Sequence, residues 1–199
     1  MRTRTLTIIA AAGTVAAAAA LAVGPTGLSF AESAAKAPTE PSAASQAEKF
    51  LGLASVPATL VPPAGNVLTS VFKARGVQVY GCTTGTWALI EPAASLTGIT
   101  LDPVRPAAAI HFRGPSWQSD SDGTLVEGTA PVPAPSATPN SIPQLLVTAK
   151  LTRGTGVFGG VTFIQRLNTV GGIAPTRACT ATDTAAVSYR ADYRFFKKA

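Results

Sequence analysis

Histidine is nearly absent: His111 is the only one in 199 residues. A metal centre built on histidines is therefore excluded, and no free thiolate stands ready to replace them. Cysteine is limited to Cys82 and Cys179. Charge is sparse, at 13% of residues, and the net value of +6 falls to +4 once Arg2 and Arg4 are removed. The basic residues are scattered apart from Arg190, Arg194, Lys197 and Lys198. That distribution argues against nucleic acid as a partner. Helical periodicity is missing from every long segment, and no internal repeat appears, so a helix bundle or solenoid is excluded.

What is present begins with a targeting pattern. Arg2 and Arg4 precede an apolar run from Leu6 to Val23, and Ser29-Phe30-Ala31 offers small residues at the two positions a signal peptidase reads. This order predicts a signal peptide over residues 1–31, removed on export. No cysteine lies near the cleavage point, which excludes a lipid anchor there. Residues 32–55 are rich in Ala, Ser and Pro and read as a disordered linker, with a short helix expected over Ser45–Leu53. Residues 56–199 read as one domain, with no membrane contact expected after cleavage. An exported chain with two cysteines predicts one disulfide, Cys82–Cys179.

The domain reads as strand after strand. Gly76–Ile90 carries two strands around a Thr83-Thr84-Gly85 turn, and Glu91-Pro92 is expected to end the second because proline cannot donate to a ladder. Trp87 is expected in the core. In Ala107–Arg113, Ala108, Ile110 and Phe112 form the apolar face, with His111 opposite and partly exposed. Ser116–Gly123 reads as a polar loop, Thr124–Glu127 as a short strand and Thr129–Pro143 as a loop without a core of its own. Leu145, Val147, Ala149 and Leu151 share one face of the next strand, and Val161, Phe163, Gln165 and Leu167 one face of the strand after it. Last, Val187, Tyr189, Ala191, Tyr193 and Phe195 face in, while Ser188, Arg190, Asp192 and Arg194 face out. Short strands with glycine and proline turns predict an all-β fold, a β-sandwich or small β-barrel of about seven or more strands.

Several segments also carry a resemblance. Gly-Val-Gln-Val-Tyr-Gly-Cys at 76–82, His-Phe-Arg-Gly-Pro-Ser-Trp at 111–117 and Asp-Gly-Thr at 122–124 occur in that order. Ile-Pro-Gln-Leu-Leu at 142–146, Ile-Gln-Arg-Leu-Asn-Thr-Val-Gly-Gly at 164–172 and Tyr-Arg-Ala-Asp-Tyr-Arg-Phe-Phe at 189–196 follow. The series resembles the bacterial and fungal family catalogued as domain of unknown function 3455. The resemblance covers about Val56 to Phe196 and implies secretion and a shared fold, but no activity. Gln144 departs from it, since tryptophan is expected there.

Candidate chemistry is thin. Ser116 lacks the Gly-x-Ser-x-Gly frame and following helix of a nucleophile elbow. Asp120-Ser121-Asp122-Gly123 lacks the further ligands of a calcium loop. Gly171-Gly172 precedes no helix and is no phosphate loop. No cofactor and no metal are expected. The best cluster is His111, Trp117, Asp120 and Asp122, where Trp117 could stack a sugar ring and the aspartates accept its hydroxyls. The competing account folds Trp117 onto the core and leaves the aspartates in a solvated hairpin. The sequence predicts a non-enzymatic extracellular or wall-associated binding module, with a carbohydrate or wall polymer as candidate partner. The alternatives are a secreted hydrolase using His111, Asp120 and Asp122, and a structural surface protein.

Overall fold

The computed structural model describes residues 56–199; the expected signal peptide, linker and Ser45–Leu53 helix lie outside the described residues. The chain winds up and down through eight strands, β1 (Asn66–Thr83), β2 (Thr86–Leu101), β3 (Val104–Phe112), β4 (Ser116–Ser119), β5 (Leu125–Ala134), β6 (Gln144–Arg153), β7 (Val161–Gly171) and β8 (Thr184–Lys198). Each pairs antiparallel with its neighbour, and β8 returns to β1, so the sheet closes into a barrel. Of the two architectures expected, the barrel is the one formed. Closure leaves no edge strand.

Two ends can be distinguished. The Thr83–Thr86 turn, the Gly114-Pro115 turn and the loops 135–143 and 172–183 lie at one. The disulfide joins Cys82 to Cys179 there, with Cα atoms 5.8 Å apart, so this is the disulfide end. The β2–β3 turn, the β4–β5 turn, the loop 154–160 and the C-terminus lie at the other.

The interior follows from alternation along the strands. β8 turns Tyr189, Ala191, Tyr193 and Phe195 inward, all at most 3% exposed. Facing them, β1 to β3 offer small residues: Ala74, Gly76, Ala94, Gly98, Ala107 and Ala109. A wall of small residues opposite bulky rings suits a barrel of this width. Far from the disulfide, Phe72, Phe158 and Phe195 pack as one aromatic group, with centroids 4.5 to 5.9 Å apart. A second apolar cluster lies outside the barrel. Leu60, from a short 3₁₀ turn at Ala58–Leu60, packs with Ala134, Leu146 and Leu167.

Several expectations are corrected. β3 turns Ala109 and His111 inward, while Ile110 is 42% exposed, because pairing sets His111 opposite Ala94 and Ala109 opposite Leu96 on the inner wall. β2 runs through Pro92, which is tolerated because pairing with β3 begins only at Ala94. The same overhang takes Trp87 out of the core to the rim. Ser116–Ser119 is strand rather than loop, and β5 continues to Ala134. In β6, Lys150 is the extra residue opposite the Glu127–Gly128 step of β5, and this bulge turns Leu151 outward. In β7, Ile164 enters the barrel, while Gln165 and Leu167 are buried outside it because the Leu60 segment covers that face. Asp192 and Arg194 hold outward positions yet are buried. Asp192 is held by Lys73 Nζ and Asn168 Nδ2, each at 2.8 Å.

Candidate functional site

The four residues expected to share a site are divided by the fold. His111 and Trp117 pair across β3 and β4 and meet inside the barrel. Asp120 and Asp122 lie in the β4–β5 turn at the far end of β4. Asp120 is exposed. Asp122 is a structural fastener: Oδ1 accepts from Thr124 N and Oγ1 at 3.0 and 2.7 Å, and Oδ2 accepts from Val157 N at 2.9 Å. Partial burial works against its ionisation, but these hydrogen bonds prevail and lower its pKa to about 2. The hydrolase arrangement of His111 with Asp120 and Asp122 is therefore not assembled. Among the described residues, no three His, Cys, Asp or Glu side chains gather where they could hold a metal ion.

Trp117 is 1% exposed, so no face of it is open to a surface sugar. Its ring stacks on His111 at 4.4 Å, with planes 1° apart, and meets Tyr193 edge-on at 5.7 Å. His111 is 3% exposed, not a partly exposed strand residue. Its Nδ1 lies 2.8 Å from the Ser116 carbonyl oxygen. A carbonyl only accepts, so Nδ1 carries the proton and Nε2 is left as an acceptor. Burial lowers the His111 pKa to about 3, despite the Ser116 bond, and the charge of Arg166 adds to the lowering. The ring is neutral at physiological pH.

Around this stack the disulfide end of the interior is polar. Gln78, Tyr80, Tyr189 and Tyr193 point in from β1 and β8, and Arg166 occupies an inward position on β7. Arg166 is anchored at the rim, where Nε and one terminal nitrogen donate to the Pro143 oxygen at 3.2 and 2.9 Å. Its charge acts on His111, Tyr80, Tyr189 and Tyr193. Tyr80 donates to the Gly172 oxygen at 2.6 Å. Buried Gln78 Nε2 and Trp117 Nε1 complete no hydrogen bond, and the Tyr189 and Tyr193 hydroxyls have only each other and, at Tyr193, Arg166. The two phenols lie near enough to perturb each other, and burial is the main cause that raises both pKa values.

The rim above is built by short-range fasteners. Ile142 N donates to the Gly171 oxygen, and Thr169 Oγ1 donates to the Ile142 oxygen, which sets Ile142 into the core beside Tyr189. Gln144, at the position where tryptophan was expected, is 7% exposed. It joins Pro135 O to Asn168 N at 3.0 and 3.1 Å. Trp87 Nε1 donates to the Arg177 oxygen at 2.9 Å, and the Arg177 guanidinium lies 4.9 Å from the Trp87 ring centroid.

A family model described as protein of unknown function, DUF3455, matches residues 101–197. Over those residues the chain is similar to the DUF3455 family. The DUF3455 match runs from the end of β2 into β8, so it contains His111, Trp117, Arg166, Tyr189 and Tyr193. Gln78, Tyr80 and Cys82 lie outside the matched range, although the resemblance seen in the sequence extended to them. No curated protein and no solved structure matches the chain.

Gln78, Arg166, Tyr189 and Tyr193 were not singled out for a site from sequence. The available signal was a polar-tipped side chain at an inward position of an otherwise apolar strand face, which Tyr189 and Tyr193 both show.

Proposed function

We propose that this protein is a non-enzymatic extracellular or wall-associated binding module whose site is the disulfide-end interior of the barrel. The observation that carries the reading is a set of buried polar atoms in one half of the interior: Gln78 Nε2 and Trp117 Nε1 have no partner, and Tyr189 Oη and Tyr193 Oη have only each other and Arg166. Leaving a group without a partner costs about 1–3 kcal/mol each, so an interior that keeps such groups is maintained for something other than stability. Eight-stranded closed barrels are of the width that either fills with side chains or holds one small ligand. Here the aromatic half is filled, and the polar half retains hydrogen-bonding capacity. The disulfide supports an oxidising, extracellular setting, as does the export pattern at the N-terminus. A carbohydrate or wall polymer stays a candidate partner, now through a small terminal group reaching the rim rather than through a stacking tryptophan.

The test is a thermal-shift and calorimetry screen of the secreted chain against polar small molecules and wall fragments. The comparison protein is the double variant Tyr189→Phe/Tyr193→Phe, which keeps both rings. The expected result is at least one ligand that stabilises the native chain and binds the double variant at least tenfold more weakly. No binding at all, equal binding by both proteins, or chemical turnover of the bound molecule would each overturn the reading.

A further inference from the structure

We propose that the polar half of the barrel interior takes a small oxyanion, a carboxylate or phosphate group, held by Arg166 with the hydroxyls of Tyr189 and Tyr193 and the N–H groups of Trp117 and Gln78. The inference rests on the binding reading above and adds the chemical class of the ligand.

The argument is one of donors against acceptors. Trp117 Nε1 and Gln78 Nε2 are donors only, and a tyrosine hydroxyl always has a hydrogen to give. Trp117 Nε1 and Gln78 Nε2 are buried without a partner, and the two hydroxyls have only each other and Arg166. The built-in acceptors are His111 Nε2 and the Gln78 amide oxygen. A guest that balances this set brings acceptor oxygens. Trp117, His111 and Tyr193 converge: His111 lies 5.3 Å from Tyr193 and Trp117 5.7 Å from it, centroid to centroid. Gln78 and Tyr189 both flank Gly172, where an added Cβ would lie 3.3 Å from Gln78 Cγ and 2.9 Å from Tyr189 Cβ.

The charge balance points the same way. Among the described residues, Arg166 is the one cation whose charge acts on His111, Tyr189 and Tyr193. The carboxylates near this half of the barrel are engaged elsewhere: Glu91 with Arg113, Asp183 with Arg177, and Asp192 with Lys73. His111 is neutral and adds no charge. A guanidinium at the margin of a low-dielectric interior, with no carboxylate facing it, favours an anion.

The experiment measures calorimetric binding and melting temperature of the full secreted chain with sodium acetate, inorganic phosphate and neutral acetamide. Ionic strength is held constant with sodium chloride. The expected result is saturable binding of acetate or phosphate, with a matching rise in melting temperature and at least tenfold weaker binding of acetamide. Acetate alone would assign an organic acid, and phosphate alone a phosphate group. Arg166→Gln should weaken binding tenfold or more. Because Arg166 also fastens Pro143, Tyr189→Phe/Tyr193→Phe serves as a second variant with the rim intact, and it should weaken binding likewise. Equal affinity for acetate and acetamide would overturn the anion inference while leaving a binding interior in place. Failure of both anions to bind, in a chain that still binds some neutral ligand, would do the same. Anion binding undiminished in both variants would place the anion elsewhere and overturn the site.

Discussion

His111 and Trp117 face each other across β3 and β4 with their rings parallel to 1° and 4.4 Å apart, both sealed from solvent. This stack turns a lone histidine, ordinarily a candidate base or ligand, into a wall element with one protonated nitrogen on a backbone carbonyl. It also gives the barrel a pH dependence. The folded pKa of about 3 lies below the ordinary histidine value of 6.5, so the unfolded chain binds the proton more readily. Stability from this group is complete above the unfolded value and is lost as pH falls toward the folded one. Within that window the slope should approach ~1.4 kcal/mol per pH unit. Urea titrations between about pH 4 and pH 7 should show native stability rising with pH, and His111→Phe should flatten the rise. An unchanged slope in the variant would assign the dependence to other groups.

The two tryptophans should separate cleanly. Trp117→Ala removes a ring 1% exposed from the centre of the barrel, and a loss of about 3–5 kcal/mol is expected. Trp87→Ala removes a half-buried rim residue that stacks with Arg177, and a loss near 1 kcal/mol is expected. Acrylamide should quench Trp87 readily in the Trp117→Phe protein, whereas Trp117 should resist quenching in Trp87→Phe. Equal quenching would contradict the placement of one residue or the other.

The Cys82–Cys179 bond closes a loop of 97 residues in sequence separation. Replacing both cysteines with serine should lower stability by roughly 2–5 kcal/mol, measured by chemical denaturation. Because Tyr80 and Asp183 hydrogen-bond the same rim, the variant should still fold. Alkylation of the unfolded, unreduced native chain should label neither cysteine.

Much of this barrel is legible in the sequence, and the illegible parts have physical causes. The inner face of β8 is readable because large apolar side chains alternate with polar ones from Tyr189 to Phe195. β3 misleads because its inner wall must be small. Ala109 and the stacked His111 go in, which leaves the more hydrophobic Ile110 outside. β7 misleads because a second cluster, nucleated by Leu60, buries its outer face, so both faces are apolar and parity carries no direction. The candidate site was half visible. His111 and Trp117 are visible together in the sequence, but nothing local shows that Thr124 and Val157 occupy Asp122. Arg166 was missed because nothing local distinguishes an inward arginine from a solvated one.

Asp122 allows a direct check of that last point. Its side chain receives three hydrogen bonds and joins the β4–β5 turn to the loop before β7. Asp122→Ala should destabilise the fold by on the order of 1–2 kcal/mol. It should leave acetate or phosphate binding unchanged, because it lies at the opposite end of the barrel. Asp120→Ala, at an exposed residue, should change neither quantity. Loss of binding in either variant would return the site to the β4–β5 turn.

The inner wall supplies the strictest test of the barrel itself. Gly98 lies on β2 opposite Phe72, and a Cβ built there would overlap the Val71 carbonyl oxygen and lie 2.7 Å from Phe72 Cα. These are backbone atoms, so relief requires β1 and β2 to move apart rather than a side chain to rotate. Such a shift would spread along the whole hairpin and reach Gly76, where an added Cβ would likewise meet the backbone of β2. Gly98→Ala should therefore cost at least the upper part of the about 1–3 kcal/mol typical of overpacking. Gly123, with φ of +68° and open space around its missing Cβ, is the contrasting case. Gly123→Ala meets no atom and should lose only about 1–2 kcal/mol, from the left-handed backbone alone. The pair is measured by urea denaturation, and near-UV circular dichroism reports whether the Trp117–His111 stack is disturbed. Gly98→Ala should alter that spectrum and Gly123→Ala should not. A Gly98→Ala protein as stable as the native chain, with its aromatic signal intact, would show that β1 and β2 do not approach each other so closely.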